Sequence, residues 1–223
     1  MGCLGMNSLL KIVVPIYNED ESVLLWLQQV VSYLQEGDQL VVVDASDVNS
    51  SKEVNDVSEH VLFQQQGVFY LRSDKGRAVQ MNTGAAFLLS NSEVDSEPCL
   101  LWFLHSDSGL SSKHLAYLHE LTANVVWGRF DVQLIPHEFP FGIISGFINV
   151  RSRLTQVMTG DQGLFIRSDV FQQLKGYAPI PLMEDVEISK RLKKLAKADC
   201  DGPVLQTSAR RWQKHGWVKT VLL

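Results

Sequence analysis

His105 and Asp107 stand two residues apart at the end of an apolar run, Leu100 to Leu104. Residues two apart on a strand point to the same side. An imidazole and a carboxylate placed this way can hold a divalent ion, which takes one or two carboxylates together with substrate phosphate oxygens. The same pair is also an ordinary hydrogen-bonded strand end. A hydrolase triad is excluded, because ASDVN, HSDSG and ISGFI all lack the G-x-S-x-G elbow that presents a nucleophilic serine.

Further side chains carry similar chemistry. Glu184, Asp185 and Glu187 form an acidic cluster at a helix start. They can cap the helix, or one of them can act as a general base within reach of a hydroxyl. Mutual repulsion in such a cluster is expected to raise at least one pKa. Asp44 closes the apolar run LVVV; it is either a turn former or a hydrogen-bond partner for a nucleotide base or ribose. Lys75, Gly76 and Arg77 lie in a loop leading into a helix; they are either a solvated loop or a phosphate or nucleotide contact, for which Arg suits the geometry. Asn82 and Gly84 follow inside that helix, where neither has high propensity; the glycine lets a backbone or ligand come close. Gly160-Asp161-Gln162-Gly163 is a polar turn whose Asp161 and Gln162 can hydrogen-bond a sugar.

Four continuous apolar runs must position these groups. Leu9 to Val14, stopped by Pro15, reads as a buried strand. Asn18 or Asp20 caps a helix over Val23 to Leu34, and Gly37 ends it. Leu40 to Val43, a helix around Ser51 to Gln65, a strand Val68 to Leu71, the helix after Arg77 and the strand Leu100 to Leu104 complete the first half. This alternation predicts an α/β fold: a doubly wound, mostly parallel sheet with helices on both faces. Ligands of such sheets bind beyond the carboxyl ends of the strands, where Asn18, Asp44, Arg77, His105 and Asp107 all fall. No GxGxxG follows the first strand, which argues against a dinucleotide fold. The second half reads as a strand over Val125 to Leu134, then a helix from FGIISGFINV onward with Gly146 a weak point in it. A short strand and a helix ending at Gly176 follow. The last helix, from Glu184, has Ile188, Leu192 and Leu195 on one face.

The bulk numbers suit a folded domain. The 223 residues are 45% hydrophobic and 20% charged, with net charge −5, so there is no global basic footprint for nucleic acid. From Lys190 onward nine Lys or Arg face two Asp, a basic end that is either a solvated face or a contact for an anionic surface. Three widely spaced cysteines without a CxxC suit a reducing compartment. No window approaches the ~20 apolar residues of a membrane span. The start lacks a basic leader and fits the myristoylation pattern poorly. A cytoplasmic protein is expected, with contact at the inner membrane face through the basic end as a second option.

The segments IVVPIYNEDESV, LVVVDAS, DKGRAVQMNTGAA, LWFLHSDSGL and GYAPIPLMEDVEISKRLK follow one another in an order that resembles family 2 glycosyltransferases of the GT-A fold. The nearest likeness is a bacterial subfamily of small members marked by GRAxQMNxGA, FLHxD, GDQ and LMED. The resemblance implies a single Rossmann-like GT-A domain over 1–223. Its nucleotide-binding half spans about 9–107 and its acceptor-binding half about 108–223. Pro15, Tyr17 and Glu19 match the segment lining the nucleotide pocket, and Asp44 the carboxylate that contacts the base. Arg77 and Asn82 match the segment beside the nucleotide. His105 and Asp107 stand where the family has Asp-x-Asp, so Asp107 is the retained metal-binding carboxylate. His215 could complete the set around Mn²⁺ or Mg²⁺. Asp185 of the Glu184–Asp185 pair matches the catalytic base, and Arg211-Trp212 is similar to the Arg-Trp of processive members.

The expected reaction is transfer of a sugar from a nucleotide-diphospho-sugar to an acceptor hydroxyl, with inversion; the acceptor is a saccharide, a lipid or a small molecule. Two alternatives stand beside it: a non-catalytic nucleotide-sugar-binding protein and a nucleotidyltransferase. The acidic PIYNEDESV, where the latter needs a Gly-rich basic loop, speaks against the second.

Overall fold

The computed structural model describes residues 9–47, 60–90, 98–121, 124–136 and 139–209. In chain order the elements of the first half are β1 (Leu10–Ile16), α1 (Ser22–Val31), β2 (Gln39–Asp44), a 3₁₀ turn (Val61–Gln64), β3 (Val68–Arg72), α2 (Arg77–Ser90) and β4 (Leu100–Phe103). Then come β5 (Ser108–Gly109), α3 (Ser112–Glu120), β6 (Trp127–Gly128), β7 (Val132–Ile135), α4 (Phe141–Thr155) and a 3₁₀ turn (Gly160–Gln162). The chain continues through β8 (Phe165–Arg167), α5 (Ser168–Gln173), α6 (Glu184–Leu192) and β9 (Leu205–Ser208).

The main sheet has the order β3-β2-β1-β4-β8-β6. Its first four strands are parallel, while β8 runs antiparallel to β4 and β6 antiparallel to β8. Alternation along each strand feeds two cores. Ile12, Val14, Leu40 and Val42 pack with Val23, Leu27 and Val30 of α1. Val13, Val41, Val43, Leu101 and Phe103 pack with Ala78, Met81, Ala85 and Leu88 of α2. The fold is therefore the expected mixed α/β one. The chain winds outward through β2 and β3, then returns to the other side of β1 as β4. This reversal opens a crevice at the carboxyl ends of β1 and β4.

Several boundaries differ from expectation. Pro15 does not stop β1, since Pro15 pairs with Val43 and Ile16 with Asp44. Val13 O accepts from Leu104 N, so by alternation the proline's missing N–H faces the side where β4 has already ended, and no ladder bond is lost. α1 starts from Glu21 without a side-chain cap, Asp20 accepting only a local bond from Ser22 N at 2.9 Å, and the helix ends at Val31, short of Leu34 and Gly37. Of the helix expected over Ser51 to Gln65, the described part is only the 3₁₀ turn, and 51–59 lie outside the described residues. The single strand expected over Val125 to Leu134 is two short ones, β6 and β7, in different sheets. Leu195 lies past the end of α6 and is exposed. A second sheet, β5-β9-β7, was not anticipated. Gly146 does not interrupt α4.

Candidate active site

The crevice is built from strand ends and two helix starts. Pro15, Phe103, Leu104 and His105 come from β1 and β4, Arg77 from the first position of α2, and Gly160 from the 3₁₀ turn. Tyr177 precedes α6, and Glu184 and Asp185 are its first two residues. Arg77 is the hub. Its Nη2 lies 3.1 Å from His105 Nδ1 and its Nε 3.3 Å from Glu184 Oε1. A guanidinium only donates, so Nδ1 is the acceptor in that contact and the ring proton sits on Nε2. The Glu184 side chain is only 6% exposed. A Cβ at Gly160 would collide with the guanidinium and lie 3.1 Å from His105 Nε2, so the turn closes over this group only because it carries no side chain.

Asp185 is fixed from both sides. Gly160 N donates to its Oδ2, and Val186 N to its Oδ1 at 2.7 Å. Each member of the acidic cluster has its own partner: Glu184 has Arg77, Asp185 the two backbone N–H groups, and Glu187 has Arg191, at 2.6 Å. Nearby, the Asp161 carboxyl is raised above its usual range, by burial first and by the neighbouring Asp185 as well. Burial likewise raises the Tyr177 hydroxyl.

A second polar group lies over the ends of β1, β2 and β3. Asp44 is buried and accepts from Ser46 N (2.7 Å), Tyr70 Oη (2.6 Å) and Arg72 Nη1 (3.0 Å). Burial, with the Asp44 bond second, pushes the Tyr70 hydroxyl up to about 12. Outside it, Tyr17 Oη donates to Asp47 Oδ2 at 2.8 Å, while Lys75 Nζ donates to Tyr17 Oη at 2.5 Å and stands over the Tyr17 ring. Glu19, two residues past Tyr17, accepts from Ser106 Oγ, next to His105, at 2.9 Å. Tyr70, Arg72, Asp47 and Tyr177 were not singled out as site residues in the sequence, whereas Lys75 was marked there as a candidate phosphate or nucleotide contact. Arg72 ends β3 as Asp44 ends β2, and that parallel was a usable signal.

Two expected residues serve other purposes. Asn82 makes two 2.9 Å bonds to the backbone N–H and C=O of Tyr177. It thus tethers the segment before α6 and is not turned to the crevice. Gln162 is fully buried, accepting from Thr159 N at 3.1 Å and donating to Ser152 Oγ at 3.0 Å. Arg211, Trp212 and His215 lie outside the described residues. Asp107 is half exposed, 3.9 Å from His105 Nδ1. Among the described residues there is no group of three metal-binding side chains.

Comparison with solved structures follows the same outline. The chain aligns over 95% of its length, with a TM-score of 0.64 and 14% identity, to 60% of the mannosyltransferase PcManGT from Pyrobaculum calidifontis, solved with GDP-Man and Mn²⁺. The chain has the GT-A fold. It also aligns over 90% of its length, with a TM-score of 0.54 and 14% identity, to 42% of GalNAc-T7, solved with UDP, GalNAc and Mn²⁺. The chain thus spans less than two thirds of either protein. No protein-family model matches the sequence, and no match is found among curated proteins.

Proposed function

We propose that the protein is a family 2 type glycosyltransferase that moves a sugar from a nucleotide-diphospho-sugar to an acceptor hydroxyl with inversion. The observation that carries this reading is Asp185. Its carboxylate is held by two backbone N–H groups at a crevice shared with Arg77 and His105. Both neighbours in the GT-A fold were solved with a nucleotide and Mn²⁺, which agrees with this chemistry.

In the proposed reaction the acceptor O–H proton passes to Asp185. The oxygen bonds to the anomeric carbon, the bond from that carbon to the diphosphate breaks, and its electron pair leaves with the diphosphate. Arg77 faces the charge that develops there. Glu184 is assigned to holding Arg77, because its carboxylate is buried and paired with that guanidinium. Tyr17, Glu19, Asp44 and Lys75 form the nucleotide side, within a half spanning about 9–107. The half spanning about 108–223 receives the acceptor, and Asp161 is the member of the Asp161–Gln162 pair left for the sugar. Asp107 offers a hard oxygen that suits Mn²⁺ when substrate phosphates complete the shell; it would hold the ion, which would supply charge neutralisation to the diphosphate. His105, with Nδ1 accepting from Arg77 and its proton on Nε2, has no ring nitrogen open to a metal and is assigned to positioning Arg77. The described cysteines, Cys99 and Cys200, are free and buried, in keeping with a cytoplasmic setting.

The test is thermal melting against UDP-, GDP-, dTDP- and CDP-sugars with and without Mn²⁺, followed by turnover of whichever donor stabilises the fold. Asp185→Asn should lower kcat by about 10²–10⁴ and leave the donor's melting shift in place. Unchanged turnover in that variant, or stabilisation by no donor, defeats the reading.

A further inference from the structure

Helix α4 is apolar on two sides. Its sheet-facing side buries Ile144 and Ile148 in the core and is anchored by polar groups as well. Ser145 Oγ accepts from Leu134 N at 2.9 Å, and Asn149 makes two 2.9 Å bonds to the backbone of Val132. Its outward side carries Ile143, Phe147, Val150 and Leu154, with Phe139 just ahead of the helix, all between 57% and 86% exposed. Steps of three and four residues place them in one stripe. A helix apolar on both sides is normally covered, and a contiguous exposed stripe marks a contact surface.

The chemistry at one end of the stripe says what covers it. Lys193 Nζ donates to Thr155 O at 3.2 Å, and Lys197 lines the same hollow as Arg153 and Gln156. Lys194 and Leu195 are exposed beside them. Arg153 is already paired with Asp131 and Asp201, so the charge offered to a partner there is that of the lysines. Among the described residues, α4 and Phe139 carry no Asp or Glu to answer those lysines in a symmetric pair of copies. Anionic lipid headgroups supply both the missing charge and the apolar boundary beneath it. No helix among the described residues is long and apolar enough to cross a membrane, so the contact is one of lying on the surface.

We propose that α4 is an interfacial helix that seats the protein on an anionic bilayer, with its apolar stripe at the headgroup–acyl boundary and Lys193, Lys194 and Lys197 at the headgroups. The test is co-sedimentation of the full chain with vesicles of phosphatidylcholine alone and of a two-to-one mixture with phosphatidylglycerol. Binding is expected to the mixed vesicles and to fall as salt rises. Phe147→Glu or Ile143→Glu should abolish it. Lys193→Gln and Lys197→Gln should each weaken it about fivefold. Leu25→Glu, at an exposed leucine on α1, should leave it intact. Sedimentation equilibrium without lipid should show a monomer. Absence of binding by the parent protein overturns the proposal. So does equal binding by Phe147→Glu, or a dimer that Phe147→Glu dissociates in a protein that ignores vesicles.

Discussion

Glu184 is almost entirely withdrawn from water and is paired with Arg77, itself only partly covered. Removing the guanidinium takes a positive charge away from a buried carboxylate. Arg77→Met should therefore cost about 2–3 kcal/mol in urea unfolding, while the double change with Glu184→Gln should recover most of that loss. Arg129 poses the same problem in reverse, because it is fully buried against Asp131. Burial works to raise the Asp131 carboxyl, but hydrogen bonds from Arg153 and Arg129 outweigh it and hold the group below its usual range. Its folded pKa thus lies under the unfolded value of 3.8. The stability it contributes is present above that pH and is lost as pH falls through the folded value. Asp131→Asn should destabilise the protein by about 3 kcal/mol at neutral pH and flatten its acid unfolding below pH 3.8. Asp185, Arg77 and His105 were legible because a polar residue at the start of a helix or the end of an apolar strand faces the crevice in this fold class. Asn82 and Gln162 were not. Their types suit a ligand, but their partners are backbone groups and a serine brought near only by folding.

Among the elements, α2 illustrates how close packing enters a sequence as an apparent weakness. A Cβ at Gly84 would lie 2.6 Å from Val13 Cγ1, 2.9 Å from Val43 Cγ2 and 3.1 Å from Val41 Cγ1. These are three stiff side chains on the sheet. The close approach expected there is real, and what approaches is the sheet's own valines. Alanine should gain about 1 kcal/mol of helix propensity and lose about 1–3 through overpacking. A lower urea midpoint for Gly84→Ala would show that packing wins. Gln80 on the same helix donates to Ile16 O at 2.7 Å and Val43 O at 2.8 Å, tying the ends of β1 and β2 beside the crevice. Long buried strands were readable. β6, β7 and β9 were not, since strands of two to four residues leave too little period to count.

For the whole molecule, the alternation of strands and helices made the parallel sheet legible, and the carboxyl-end rule located the crevice. The small sheet escaped notice because its strands come from three distant stretches and none pairs with a sequence neighbour. A donor that occupies the crevice should protect this whole frame. At a hundred times its dissociation constant it should add about 2.7 kcal/mol, read as a higher melting temperature. In the presence of Mn²⁺, Asp107→Ala should shrink that shift if the ion contributes to donor binding.

β9 also bears on how the protein comes off the ribosome. It is the middle strand of the small sheet, parallel to β7 and antiparallel to β5. The four parallel strands of the main sheet are complete once Phe103 has emerged, whereas β5 and β7 must wait, edges open, until Leu205 to Ser208 follow. A nascent chain halted before Leu205 should carry a formed β1–β4 core and an unpaired second half that chaperones hold and proteases cut.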